Sequence, residues 1–133
     1  MSLIRKIPSN VAAPMPAAKY AHSVEVPPNA RWLYVSGQLG ARPDGSVPET
    51  FDEQIEWCWK NIVAVLEASG MGITDLVKIT TFLTDRSQRE KNAEVRGRYL
   101  GDTRPAQTLL FVSGLTLPPY LCEVEAIAAK ASS

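Results

Sequence analysis

The chain has no excess of either charge: 14 Lys and Arg stand against 14 Asp and Glu, for a formal net charge of zero. A general nucleic-acid binder shows a basic excess, so RNA and DNA are not expected partners. The same balance leaves no electrostatic reserve against self-association. Histidine is almost missing, with His22 alone, and cysteine is limited to Cys58 and Cys122. These are too few nitrogen and sulfur ligands for a zinc site of the usual kind, and no metal is expected. Two cysteines far apart make no disulfide framework, so both are read as reduced thiols packed as small core residues. No apolar run approaches a membrane span. Met1 to Asn10 carries Arg5 and Lys6 with no apolar segment behind them, so it does not read as a signal peptide. A soluble cytoplasmic protein without membrane partners is the expectation. Repeats and low-complexity tracts are absent, and so is the Gly-x-Ser-x-Gly elbow of many serine hydrolases.

The 133 residues suit one domain, 1–133, large enough to bury a core without staples. Pro8, Pro14 and Pro16 predict an extended N-terminal arm over 1–16. Tyr20 to Val26 alternates as a short strand, and Pro27-Pro28-Asn29 turns the chain. Arg31 to Leu39 is continuously apolar at Trp32 to Val35, and its internal Gly37 marks a bulge or a close backbone approach. Phe51 to Ser69 is a helix with Ile55, Cys58, Trp59, Ile62, Val63 and Leu66 on one face, stopped by Gly70 and Gly72. Trp57 lies off that stripe, exposed or packed on a neighbouring subunit. Leu76 to Leu83 is a strand, Arg86 to Leu100 a second and more polar helix, and Gln107 to Val112 and Leu121 to Ala128 two final strands.

The order β, β, α, β, α, β, β predicts an α+β fold, with strands paired early and late. It implies a mixed sheet with both helices packed on one face. No element is left to cover the other face, which points to association of sheets between subunits.

Four ordered segments resemble the RidA-like (YjgF-type) family. They are Lys19-Tyr20-Ala21-His22, Val35-Ser36-Gly37-Gln38, Arg104-Pro105-Ala106-Gln107-Thr108 and Glu123-Val124-Glu125-Ala126-Ile127-Ala128. Asn61 to Gly70 is similar to that family's first helix and Val77 to Leu83 to its central strand. The resemblance implies a chorismate-mutase-like fold, a homotrimer with small-molecule clefts between subunits, and no cofactor or metal. It also implies hydrolysis of reactive enamines and imines with release of ammonia.

Imine hydrolysis needs a water aimed at the C=N carbon, a proton for nitrogen and a grip on the substrate carboxylate. A carboxyl group suits the proton traffic and an arginine fork suits the carboxylate. By the resemblance, Glu123 handles the water, Tyr20 lines the site, and Ser36 and Gly37 border the cleft. The family's carboxylate-holding arginine is replaced here by Gln107, since Arg104 matches the motif's own first arginine. An uncharged amide weakens that grip, which makes the usual amino-acid-derived imines doubtful substrates. The substrate then lacks a carboxylate there, or Arg96 or Arg98 reaches the cleft, or a ligand is bound without turnover. Arg96 and Arg98 cannot share a helix face, so at most one points inward. Glu123 and Glu125 share a strand face, functional or as interface ion pairs. His22 shares a face with Tyr20 and is a proton shuttle or a hydrogen-bonded rim residue.

Three functions stay open at this point: a metal-free deaminase with shifted substrate, a metabolite-binding trimer without catalysis, and the ribonuclease or translation inhibitor of older family labels.

Overall fold

The structure, a computed structural model, describes residues 2–15 and 18–131. Eight strands and helices follow one another: β1 (Ile4–Lys6), β2 (Ser23–Glu25), β3 (Arg31–Leu39), α1 (Phe51–Ala68), β4 (Leu76–Leu83), α2 (Arg89–Leu100), β5 (Ala106–Phe111) and β6 (Cys122–Lys130). Single 3-10 turns, Ile73–Asp75 and Arg86–Gln88, lead into β4 and α2. The main sheet has four strands in the order β3-β6-β4-β5, antiparallel except for the parallel pair β4 and β5. A parallel pair needs a crossover, and α2 is that crossover.

The α+β class and the mixed sheet agree with the sequence pattern, but the expected pairing does not. β2 pairs with β1 rather than with β3, and β6 inserts between β3 and β4 instead of pairing with β5. Two physical causes account for this. Pro27 and Pro28 have no N–H to offer a hairpin after β2, and the long connection after β5 frees β6 to reach the sheet centre. The arm supplies an unexpected strand. Arg5 pins it: Nη1 donates to the carbonyls of Leu76 and Arg104 at 2.9 and 3.0 Å, and Nη2 to that of Thr74 at 2.9 Å. Met1 and Pro16, the two ends of the arm as read from sequence, lie outside the described residues.

Helix α1 begins where Thr50 Oγ1 accepts from the Glu53 amide, with Asp52 and Glu53 in the first turn favouring the positive helix end. It stops before Gly70, whose φ of 69° suits glycine. Ile55, Cys58, Trp59, Ile62 and Leu66 are fully buried against the sheet. Each such apolar side chain contributes roughly 1.5–3 kcal/mol by leaving water. Val63 is only half-buried, and Gln54 takes an inward position instead. Its amide donates to the carbonyls of Pro48 and Pro119 and accepts from the Leu121 amide, tying the loop before β6 to the helix. Trp57 is half-buried, with Lys60 Nζ 4.4 Å from its ring centre.

The sheet therefore has two unlike faces. Ile79, Leu83, Cys122, Val124, Ala126 and Ala128 point into a core shared with both helices. Phe82, Glu123, Glu125 and Ile127 between them point the other way and stay partly or fully exposed. Trp32 and Tyr34 on that open face are 52% and 74% exposed and stack at 6.4 Å between ring centres. Exposed aromatics side by side on a flat sheet are surface that association would bury.

Candidate functional site

On the helix side, a cavity of about 380 Å³ lies between α2 and β5. Tyr20, Arg96 and Gln107, three of the residues singled out from sequence, line it together with Arg86, Arg89 and Phe111. Gln107, Leu109 and Phe111 reach it because alternate residues of β5 face α2, in register with Ile79, Thr81 and Leu83 of β4. Arg89, Ala93 and Arg96 reach it because steps of four and three residues keep them on one helix face.

Arg96 is 6% exposed. Burial first, and Arg89 second, pull its guanidinium below the ordinary arginine pKa, yet an arginine stays protonated. Arg98 points away to solvent and pairs with Glu56 of α1, which also accepts from the Tyr99 hydroxyl at 3.1 Å. The helix thus turns one of its two arginine candidates inward, within the limit of one that the spacing set.

Gln107 works on the protein rather than on open space. Its Nε2 donates to the carbonyls of Ala18 and Lys19 at 3.2 and 2.8 Å. Lys19 has φ 50°, in the left-handed region that side chains avoid. The amide therefore braces a strained residue immediately before Tyr20. His22 does not line the cavity. Its Nε2 lies 2.8 Å from the Ala12 carbonyl, and because a carbonyl only accepts, that nitrogen carries the proton. Its ring meets Tyr20 edge-on at 5.6 Å, so it supports the tyrosine from behind. Its Nδ1 is buried without a partner among the described residues.

Glu123 lies elsewhere. It occupies the open face of β6, in register with Phe82 of β4 and Leu39 of β3. The bulge between Val35 and Gln38 brings Gly37 against it, and a β-carbon at Gly37 would overlap the Glu123 carboxylate. The glycine is thus a notch that admits the carboxyl group, and exposed Ser36 sits next to it. Burial, and then the charge of Glu125, raise the Glu123 pKa above the ordinary carboxylate value. A carboxylate with a raised pKa is a stronger base than an ordinary glutamate.

Within one chain the site residues therefore form two groups. Tyr20, Arg96 and Gln107 line the cavity on the helix side, while Glu123, Ser36 and Gly37 meet on the open side. Sequence reasoning missed Arg86, Arg89 and Phe111 in the cavity wall. It also missed Asn92, fully buried beside Ala93, whose amide atoms find no partner among the described residues. An asparagine inside a helix, where its propensity is poor, was the available signal. Cys58 and Cys122 bury their sulfurs 3.7 Å apart. The hydrogen bond with Cys122, then burial, raises the Cys58 thiol well above its ordinary pKa, so it stays an unreactive thiol. Among the described residues no group of His, Cys, Asp and Glu gathers in a way that could hold a metal.

A family model described as endoribonuclease L-PSP matches residues 10–130. A RutC family protein from Aquifex aeolicus is 34% identical over 121 residues, spanning 89% of this chain and 94% of the relative. A 2-iminobutanoate/2-iminopropanoate deaminase from Bos taurus is 34% identical over 131 residues, spanning 97% and 93%. A solved structure of a conserved Rid family protein from Yersinia pestis superposes with a TM-score of 0.87, covering 98% of this chain and all of that one. At 23% identity that last likeness speaks for the fold alone.

Proposed function

Because this chain belongs to the endoribonuclease L-PSP family of RidA-like proteins, we propose that it is a hydrolytic deaminase of an enamine or imine. In this reading three copies associate through their open sheet faces, with Trp32 and Tyr34 inside the assembly. The cavity wall of one protomer then meets Glu123, Ser36 and Gly37 of the next. Neither group of residues is a site alone. Among the described residues the cavity wall has three arginines and a tyrosine but no carboxyl or imidazole group, and Glu123 does not line it.

The observation that carries the reading is the setting of Glu123, a carboxyl group notched against Gly37 with its pKa raised. It takes a proton from water as the oxygen bonds to the C=N carbon, and passes a proton to nitrogen. The resulting carbinolamine collapses as its C–N bond breaks, leaving a carbonyl compound and ammonia, so that R₂C=NH and water become R₂C=O and NH₃. An enamine first moves a proton from nitrogen to carbon to become the imine. Arg96 holds the substrate carboxylate in place of the arginine that the family motif has where Gln107 stands. Gln107 is a positioning residue that fixes the backbone ahead of Tyr20. No metal or cofactor takes part in this scheme.

Ammonia release from imines generated in situ, beginning with 2-iminobutanoate, tests it. Native protein is expected to accelerate hydrolysis, and Glu123→Gln to lower kcat by roughly 10²–10⁴-fold. Arg96→Gln is expected to raise KM more than it lowers kcat, as loss of a substrate grip does. No acceleration on any imine by a sound oligomer would sink the proposal. A ligand-binding trimer without turnover would then take its place, a reading favoured by the engagement of the Gln107 amide with backbone.

A further inference from the structure

Three cations elsewhere on the surface have carboxylate partners among the described residues, while Arg31, Arg104 and Lys130 reach backbone carbonyls. Arg98 pairs with Glu56, Arg42 with Glu53 at 3.2 Å, and Lys91 with Asp52 and Glu94 at 3.9 and 3.5 Å. The cavity gathers cations instead. Three arginines, Arg86, Arg89 and Arg96, line it, and among the described residues no Asp or Glu does. Arg86 and Arg89 make no ion pair among the described residues. Arg86 lies over the Phe111 ring at 4.7 Å, and Arg89 Nη2 lies 3.3 Å from the Met15 sulfur, a weak acceptor. The remaining wall is largely apolar, from Ala18, Ala93, Leu109 and Phe111.

Like charges gathered around a small cavity oppose folding unless something offsets them. Arg89 and Arg96 are close enough that one depresses the pKa of the other. They stand two helical turns apart, roughly 10.5 Å along the axis. Arg96 is buried, whereas Arg86 and Arg89 are exposed. The positive charge is thus distributed along the cavity, one arginine at its closed end and two nearer solvent.

We infer that this cavity selects a ligand with two anionic groups, a dicarboxylate or a carboxylate that also bears a phosphate. Arg96 receives the inner carboxylate, and Arg86 with Arg89 the outer anion, while Leu109 and Phe111 pack on the short carbon skeleton between them. The volume of about 380 Å³ lies toward the small end of ligand sites, suited to a metabolite of a few carbons. The inference rests on the proposed function only in taking this cavity as the substrate end of the site. A deaminase with this wall would act on an imino acid whose side chain carries the second negative charge.

Chain-matched acids test it by calorimetric binding and thermal shift on the native oligomer: butanoate against succinate, pentanoate against glutarate, hexanoate against adipate, with phosphoglycolate as the phosphate-bearing arm. One added anion meeting arginine is expected to tighten binding about 10- to 100-fold at low salt. The advantage should shrink as ionic strength rises. Tighter phosphoglycolate than any dicarboxylate would identify the outer group as phosphate, and the reverse as carboxylate. In Arg89→Gln the advantage of the dianion should fall toward one, and in Arg96→Gln both members of each pair should weaken. Equal binding of each pair, or binding of none of the acids, would overturn the inference. These readouts do not depend on turnover. Dianion selectivity without ammonia release would overturn the deaminase and leave the selectivity standing, and turnover of monocarboxylate imines without selectivity would do the reverse.

Discussion

The two faces of the four-stranded sheet are built from the same strands yet serve opposite ends. Along β6, Cys122, Val124, Ala126 and Ala128 enter the core, while Glu123, Glu125 and Ile127 between them face the other way. The core face is mainly apolar, with Thr81 its buried polar exception in β4, and it is closed by two helices. The open face carries carboxylates and a stacked pair of exposed aromatics. One face is the source of stability in the single chain, and the other is the surface that the proposed trimer would bury. A strand period of two lets nine residues do both, because each substitution is felt on one face only.

The core face should be the more costly to break. Trp59 is fully buried and stacks on Tyr99 at 5.7 Å. Trp59→Ala is expected to destabilise the chain by about 3–5 kcal/mol, measured by denaturant unfolding. Its indole N–H has no hydrogen-bond partner among the described residues. Trp59→Phe should therefore cost much less, since only volume is lost. Equal costs for the two would mean that the indole is held by more than packing.

The open face should yield the opposite signature. Tyr34→Glu with Trp32→Glu places like charges on surfaces that the proposed trimer presses together. Sedimentation is expected to show monomer where native protein shows trimer, while the far-ultraviolet spectrum of the isolated chain persists. Deaminase activity should fall with assembly, because Glu123 would lose the cavity of its neighbour. A variant that remains trimeric would move the interface elsewhere and separate the two groups of site residues for good.

How much of this comparison was legible in the sequence follows from which interactions are local. The α1 stripe, the limits of β4 and the bulge at Gly37 depend on periodicity and on backbone freedom at neighbouring residues, so a pattern sufficed. Strand order did not, because β6 reaches its place between β3 and β4 through contacts distant along the chain. β1 escaped because three residues carry too little pattern, and its anchor, Arg5, acts through carbonyls that any sequence would supply. Motif positions singled out Tyr20, Gln107 and Glu123 as candidates, and helical spacing limited the inward arginine to one of two. The direction of Gln107 could not be read. Its amide is turned by the carbonyls of Ala18 and Lys19, and backbone carbonyls leave no mark on composition.

Glu123 gives the smallest effect on stability and the sharpest contrast with the core. Its pKa is raised in the folded chain, by burial first and then by Glu125. The unfolded chain therefore loses the proton at lower pH than the folded one. Between the ordinary glutamate pKa and the raised one, the unfolded state binds fewer protons, so folding stability declines as pH rises through that window. The contribution is fully present below the ordinary pKa and gone above the raised one. Glu123→Gln cannot ionise and should lack this slope. Unfolding across the acidic to neutral range is thus expected to find the variant as stable as native protein at the acid end and slightly more stable at the neutral end, even as ammonia release collapses. A core residue that stabilises the chain would behave in the contrary way, and a native carboxyl whose loss weakened the fold at neutral pH would place Glu123 with the structural ion pairs.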